Sequence, residues 1–138
     1  MEGYLSQTPL VKAYNDRYLF YETELSMPWT KGRSKQVDLG AVFEKADGQK
    51  VDTLSLFLVA PEEVGPTLIR MAGVKDPALG KELEEAFRPE YILFRDPDFG
   101  LVYPPETLPS HPDSYAIWFK YDENIRSILK PEAVPKLH

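Results

Sequence analysis

The 138-residue chain contains no cysteine. That excludes a disulfide framework, a thiolate zinc site and a cysteine nucleophile, and it fits a reducing, cytoplasmic setting. Histidine is nearly as scarce: His138 is the last residue and His111 sits between Ser110 and Pro112. Three or four converging zinc ligands are therefore not on offer. Ser110, His111 and Asp113 have the residue types of a hydrolase triad, but near neighbours in an extended segment cannot all converge on one reacting atom. No run approaches the ~18 consecutive apolar residues of a membrane span. The opening MEGYLSQTP lacks a basic stretch followed by an apolar one, so no signal peptide is expected. No glycine-rich phosphate loop occurs. Asp98-Phe99-Gly100 has the letters of the kinase metal-binding triplet, without the glycine-rich and catalytic loops that give it meaning. The expectation is a protein without cofactor or metal.

Positive charge is also in short supply. The net charge of −6 opposes general attraction to nucleic-acid phosphate, so a protein or a small ligand is the expected partner. With 43% hydrophobic and 28% charged residues the chain belongs to the soluble globular class. Its length suits one compact domain over residues 1–138, able to bury about 68% of its unfolded surface.

What the sequence does contain is hairpin signal. From Gln36 to Ala60, two apolar runs flank Asp47-Gly48, a dipeptide suited to a two-residue type I′ turn. With that turn, Phe43, Ala41, Leu39 and Val37 oppose Asp52, Leu54, Leu56 and Leu58, placing seven apolar residues and one Asp on one face. The other face, Glu44, Val42, Gly40 and Asp38 opposite Val51, Thr53, Ser55 and Phe57, is mixed. One face is core and the other partly covered or wet.

Residues 8–25 can be read as a helix capped at Thr8 or as a hairpin turning at Asn15-Asp16. The strand propensity of Tyr18-Leu19-Phe20-Tyr21 and the cost of Asn-Asp inside a helix favour strands. After residue 60 the period changes to about 3.6. A helix is expected from Pro66, because Gly65-Pro66 interrupts an earlier start at Pro61. A second helix is capped by Asp76, opens at Pro77 and is stopped by Pro89. Its exposed Glu82, Glu84 and Glu85 have the wrong sign for a DNA-reading helix. Residues 91–103 read as a hairpin around Asp96–Gly100, and the proline-rich stretch 103–113 as extended and polyproline-like. Tyr115 to Tyr121 is a strand with two apolar faces, expected in the sheet centre or covered on its Trp side. Asp122 caps a last short helix, and the tail from Pro131 is expected to fray. The fold class expected is α+β: an antiparallel sheet of β-hairpins with two to three short helices packed on one side.

Two candidate sites emerge. The segment 26–35 holds Met27, Trp29, Lys31, Arg33 and Lys35 with no acid among them, the one basic and aromatic cluster of an acidic chain. Trp, Met and Arg are enriched at interfaces, which makes this the candidate partner-binding loop. Its rival is a plain loop whose Trp covers the core edge. The second candidate is a metal-dependent nuclease core of the PD-(D/E)xK type, using Asp38, Asp52 and Glu22 or Glu24. There the lysine position is Leu54, and Asp38 and Asp52 point to opposite faces of the hairpin. The leading expectation is a small, non-enzymatic binding or regulatory protein that docks on a larger protein. The alternatives are an active or degenerate nuclease-like domain and a self-assembling structural protein.

Overall fold

A computed structural model describes residues 6–28 and 34–137. The fold is α+β: two antiparallel sheets, of four and three strands, with three helices. The first sheet runs in the order β1 (Ser6–Tyr14), β2 (Tyr18–Pro28), β3 (Ser34–Glu44) and β4 (Lys50–Val51). Helices α1 (Pro61–Met71) and α2 (Pro77–Ala86) follow. The second sheet is β5 (Ile92–Phe94), β6 (Asp98–Tyr103) and β7 (Tyr115–Lys120), and α3 (Glu123–Arg126) comes last.

Residues 8–25 form the hairpin, and Asn15 makes its turn. The Asn15 side-chain oxygen accepts from the backbone N–H of Arg17 at 2.9 Å and of Tyr18 at 2.8 Å. This local bond is what suits Asn to turns and penalises it inside helices.

The stretch 36–60 is different from its expected form. β3 is as long as predicted, but its long partner is β2, paired without a break from Tyr18↔Glu44 to Pro28↔Ser34. Only Lys50 and Val51 pair with β3 on the other side, in a register shifted by two residues: Val42↔Val51 and Phe43↔Lys50. Gly48 does take the left-handed conformation, at φ +72°, within a wider loop closed by Glu44 N–H on Gln49 O. The expected second strand ends at Asp52. Its carboxylate accepts from Leu54 N–H at 3.1 Å, and Ser55 Oγ donates to Asp52 O at 2.6 Å. These local bonds replace a ladder with a 3₁₀ turn over Thr53–Leu56, which swings Leu56 and Phe57 into the core.

The faces of β3 exchange roles only toward its C-terminal end. Val37 is buried and Leu39 packs against the core, as expected, whereas farther along Val42 is buried and Phe43 and Ala41 lie on the outer side. Gly40 explains this orientation. A Cβ there would lie 2.3 Å from the carbonyl oxygen of Ile92, so the strand can bring β5 against itself only on its Gly40 side.

Helix α1 starts at Pro61 and carries Pro66 within it. Pro61 is pre-set for a first helical position, and Glu62 and Glu63 favour the positive end of the helix dipole. Pro66 forfeits only the bond its missing N–H would make to Glu62. Gly65 lets the helix approach Phe87, whose ring a Cβ would meet at 2.8 Å. α2 begins as expected, with Asp76 accepting from Ala78 N–H at 3.0 Å.

In the second sheet, Asp98, Phe99 and Gly100 are strand residues and not part of the turn. β7 is an edge strand rather than a central one. Its two apolar faces are served by the core on one side and, on the other, by Arg95 lying over Trp118. The proline-rich stretch is not extended: Glu106 N–H reaches Pro112 O at 2.8 Å, and Leu108 is buried. Burying Leu108 requires that fold-back. The tail is likewise held. Ala133 is buried, and Asn15 Nδ2 donates to the carbonyls of Glu132 and Val134, each at 3.0 Å.

One hydrophobic cluster joins both sheets and the helices. Its centre is aromatic. Phe94 lies 4.6 Å from Phe20 and 5.1 Å from Phe99 between ring centroids, the second contact edge-on.

Candidate docking site

The predicted loop sits at the far end of the longest hairpin. Met27 on β2 pairs with Lys35 on β3, one step before the terminal Pro28↔Ser34 pair. Trp29, Lys31 and Arg33 lie outside the described residues.

The side of β1–β3 turned away from the core leads to this hairpin end. The pleat puts Tyr14 and Val11 of β1, Leu19, Tyr21 and Leu25 of β2, and Phe43 and Ala41 of β3 on one surface. None of these side chains is buried; Val11 is 48% exposed and Tyr14 39%. Tyr21 and Phe43 meet edge to face, with centroids 5.4 Å apart. Around them lies a shallow depression of about 370 Å³, lined by Pro9, Leu19, Tyr21, Thr23, Ala41 and Phe43. Its charged rim is already engaged. Arg17 Nε donates to Glu44 at 2.9 Å, and Lys45 Nζ donates to Asn15 O at 3.2 Å. The surface offers a ligand apolar contact and few free polar groups.

The core-facing side of the same strands is polar at its far end. Glu22, Glu24 and Asp38 share it, Glu24 directly opposite Asp38. Glu22 is buried and takes both its bonds from Arg95, at 2.6 Å from Nε and 2.5 Å from Nη2. The bond to Glu22 is the main cause that raises the Arg95 pKa above its ordinary value, against the opposing cost of burial; Asp38 and Glu24 add to it. Arg95 in turn lies over the Trp118 ring, 4.8 Å from its centroid. Gly100, opposite Trp118 on β6, leaves room for that ring, since a Cβ would come within 2.4 Å of it.

This arrangement corrects the geometry of the nuclease idea. Asp38, Glu22 and Glu24 do share a face, but Asp52 has left the sheet to cap a 3₁₀ turn. Glu22 is neutralised by Arg95, and Glu24 lies 3.9 Å from Lys12 Nζ. Among the described residues no group of three His, Cys, Asp or Glu side chains is placed to hold a metal ion. Ser110, His111 and Asp113 form no triad either. Ser110 Oγ stands between Glu82, at 2.9 Å, and His111 Nδ1, also at 2.9 Å. A triad needs the imidazole in the middle.

Sequence reasoning identified neither the outer face nor the Arg95 cluster. Alternation in β2 and β3 was visible, but which side faced the core depended on Gly40 and on a contact with residue 92. Arg95 and Glu22 are 73 positions apart.

No family model and no curated protein matches the chain. In fold it is similar to a DUF3298 family protein from Pseudomonas aeruginosa PAO1. The two superpose with a TM-score of 0.61 at 13% identity, covering 97% of this chain and 64% of that protein. The likeness is therefore one of fold, and this chain spans about two thirds of the length of the DUF3298 protein.

Proposed function

We propose that this chain is a non-enzymatic binding or regulatory module that docks on a larger protein through the outer face of β1–β3. The observation that carries the reading is the apolar surface itself: three long strands present Val11, Tyr14, Tyr21 and Phe43 away from the core. Contiguous apolar surface of this kind marks interaction sites, whereas scattered exposed apolar residues do not. Met27 and Lys35 pair at the hairpin end, two residues beyond the Leu25↔Val37 pair, and Trp29, Lys31 and Arg33 lie between them in sequence. The matching partner has an apolar patch bordered by acidic groups, the first for the sheet face and the second for Lys31, Arg33 and Lys35. The engaged state of Glu22, Glu24 and Asp52 supports binding over metal-dependent catalysis.

The test is affinity capture of the tagged protein from its native lysate, with nuclease added, comparing wild type with Val11→Lys and Trp29→Ala. The reading expects a stoichiometric protein that both substitutions weaken. Val11 is on the surface, so Val11→Lys should change stability by no more than about 0.5 kcal/mol. Capture indifferent to both variants would end the reading. If Trp29→Ala instead collapses the fold, Trp29 belongs to the core, and Val11→Lys alone decides the outer face.

A further inference from the structure

The sheet edges are not equally protected. β1 carries Pro9 and a register break between Val11 and Ala13, two devices that discourage strand addition. β4 is only two residues long, and β5 lies against Gly40 of β3. β7 has none of these protections. Its six residues, YAIWFK, contain no proline, and they pair with β6 in unbroken register from Asp98↔Lys120 to Tyr103↔Tyr115. Every second N–H and C=O of an edge strand points away from its neighbour. Among the described residues no other segment pairs with that side. Trp118, beside it, is 45% exposed.

We propose that β7 pairs antiparallel with β7 of a second copy, joining two three-stranded sheets into one of six across a two-fold axis. The charge pattern fits a second copy. The strand has a single charge, Lys120, at its end, so antiparallel pairing holds the two lysines apart. A two-fold axis perpendicular to the sheet keeps both core faces on one side and sets either Ile117 or Trp118 across from itself. In either register, Ala116 lies opposite or diagonal to Lys120 of the second copy. An interface of one strand pair is small and belongs to the weak, concentration-dependent class. This surface is separate from the outer face of β1–β3, so the proposal does not rest on the docking reading.

Light scattering and sedimentation equilibrium of the full chain over a wide concentration range test it. The mass is expected to rise with concentration from 15.8 kDa toward twice that value. Ala116 is exposed, so Ala116→Lys and Ala116→Glu should leave the circular dichroism and melting midpoint unchanged. Ala116→Lys sets two pairs of like charges together and should weaken the dimer by about tenfold, while Ala116→Glu should tighten it. A monomer at every concentration overturns the proposal. So does a dimer that ignores both substitutions, which would place self-association on another surface.

Discussion

Glu22 is a charged side chain in the core, and its environment shows how one residue binds two sheets together. Its strong partner among the described residues is Arg95, whose own side chain is about one-third exposed. Replacing the carboxylate by an amide in Glu22→Gln leaves the guanidinium with the charges of Glu24 and Asp38 and the ring of Trp118. Removing one partner of a buried pair costs about 3–5 kcal/mol. The partial exposure of Arg95 lets water replace some of that interaction, so about 2–3 kcal/mol is expected here. A urea titration of Glu22→Gln checks this, and a midpoint equal to wild type would show the pair to be incidental. Gly100 acts through the same cluster. In Gly100→Ala the new methyl must displace Trp118 from Arg95, with a cost of about 1–3 kcal/mol for overpacking. In a Trp29→Phe background, which leaves Trp118 as the sole tryptophan, its emission should shift to the red as the ring enters water. Unchanged emission and stability would mean that the ring accommodates the methyl in place.

Among the elements, β3 is the strand on which the largest error of sequence reading and its correction both turn. The alternation of Val37 to Phe43 was legible, as were the strands of residues 8–25, the Asp76-Pro77 helix start and the 91–103 hairpin. These depend on side-chain period and turn chemistry within a few residues. The choice of face was not legible, because it depends on a backbone contact between Gly40 and Ile92, 52 positions away. The second strand of the 36–60 hairpin was lost for a local reason: Asp52 and Ser55 bond their own backbone more readily than they join a ladder. The expected fraying of the tail failed because its anchor, Asn15, lies at the opposite end of the chain. The candidate binding loop rests on composition alone, with Trp29, Lys31 and Arg33 outside the described residues, and the apolar face of β1–β3 required the fold. The close approach of Gly40 to the Ile92 carbonyl makes Gly40→Ala a severe change. The obstacle is a carbonyl oxygen rather than a flexible side chain, so the cost should exceed about 3 kcal/mol, beyond ordinary overpacking. Gly48→Ala has open space and only an unfavourable φ to contend with, for which about 1–2 kcal/mol is expected. Equal urea midpoints for the two variants would show that Gly40 does not set the approach of β5 to β3.

For the whole molecule, the connections most exposed to a change of solvent are its buried phenols. Tyr103 donates to Leu83 O at 2.6 Å, tying β6 to α2, and Tyr121 donates to Arg95 O at 2.9 Å, tying the end of β7 to the β5–β6 turn. Burial is the main cause that raises both phenol pKa values well above the ordinary value; Tyr91 and Glu84 add to it at Tyr103, and Asp96 and Asp98 at Tyr121. A phenol with a raised folded-state pKa stays neutral in the folded chain at pH values where the unfolded chain has begun to ionise, from about pH 10. Below that pH its contribution to stability is fully present. It is lost as pH rises from about 10 toward the folded-state value, because ionisation then pulls the chain toward the unfolded state. The molecule should therefore show a steep alkaline fall in urea midpoint, with phenolate absorbance appearing together with loss of circular dichroism. Tyr103→Phe keeps the ring but removes the proton and the bond to Leu83, so it should cost about 1 kcal/mol at neutral pH. Above pH 10 its stability should fall less steeply than that of wild type, and Tyr121→Phe should behave in the same way. The slope decides the matter. If both variants lose stability with pH as steeply as wild type does, the alkaline transition originates elsewhere, and these two phenols are not what holds the helices and the second sheet together at high pH.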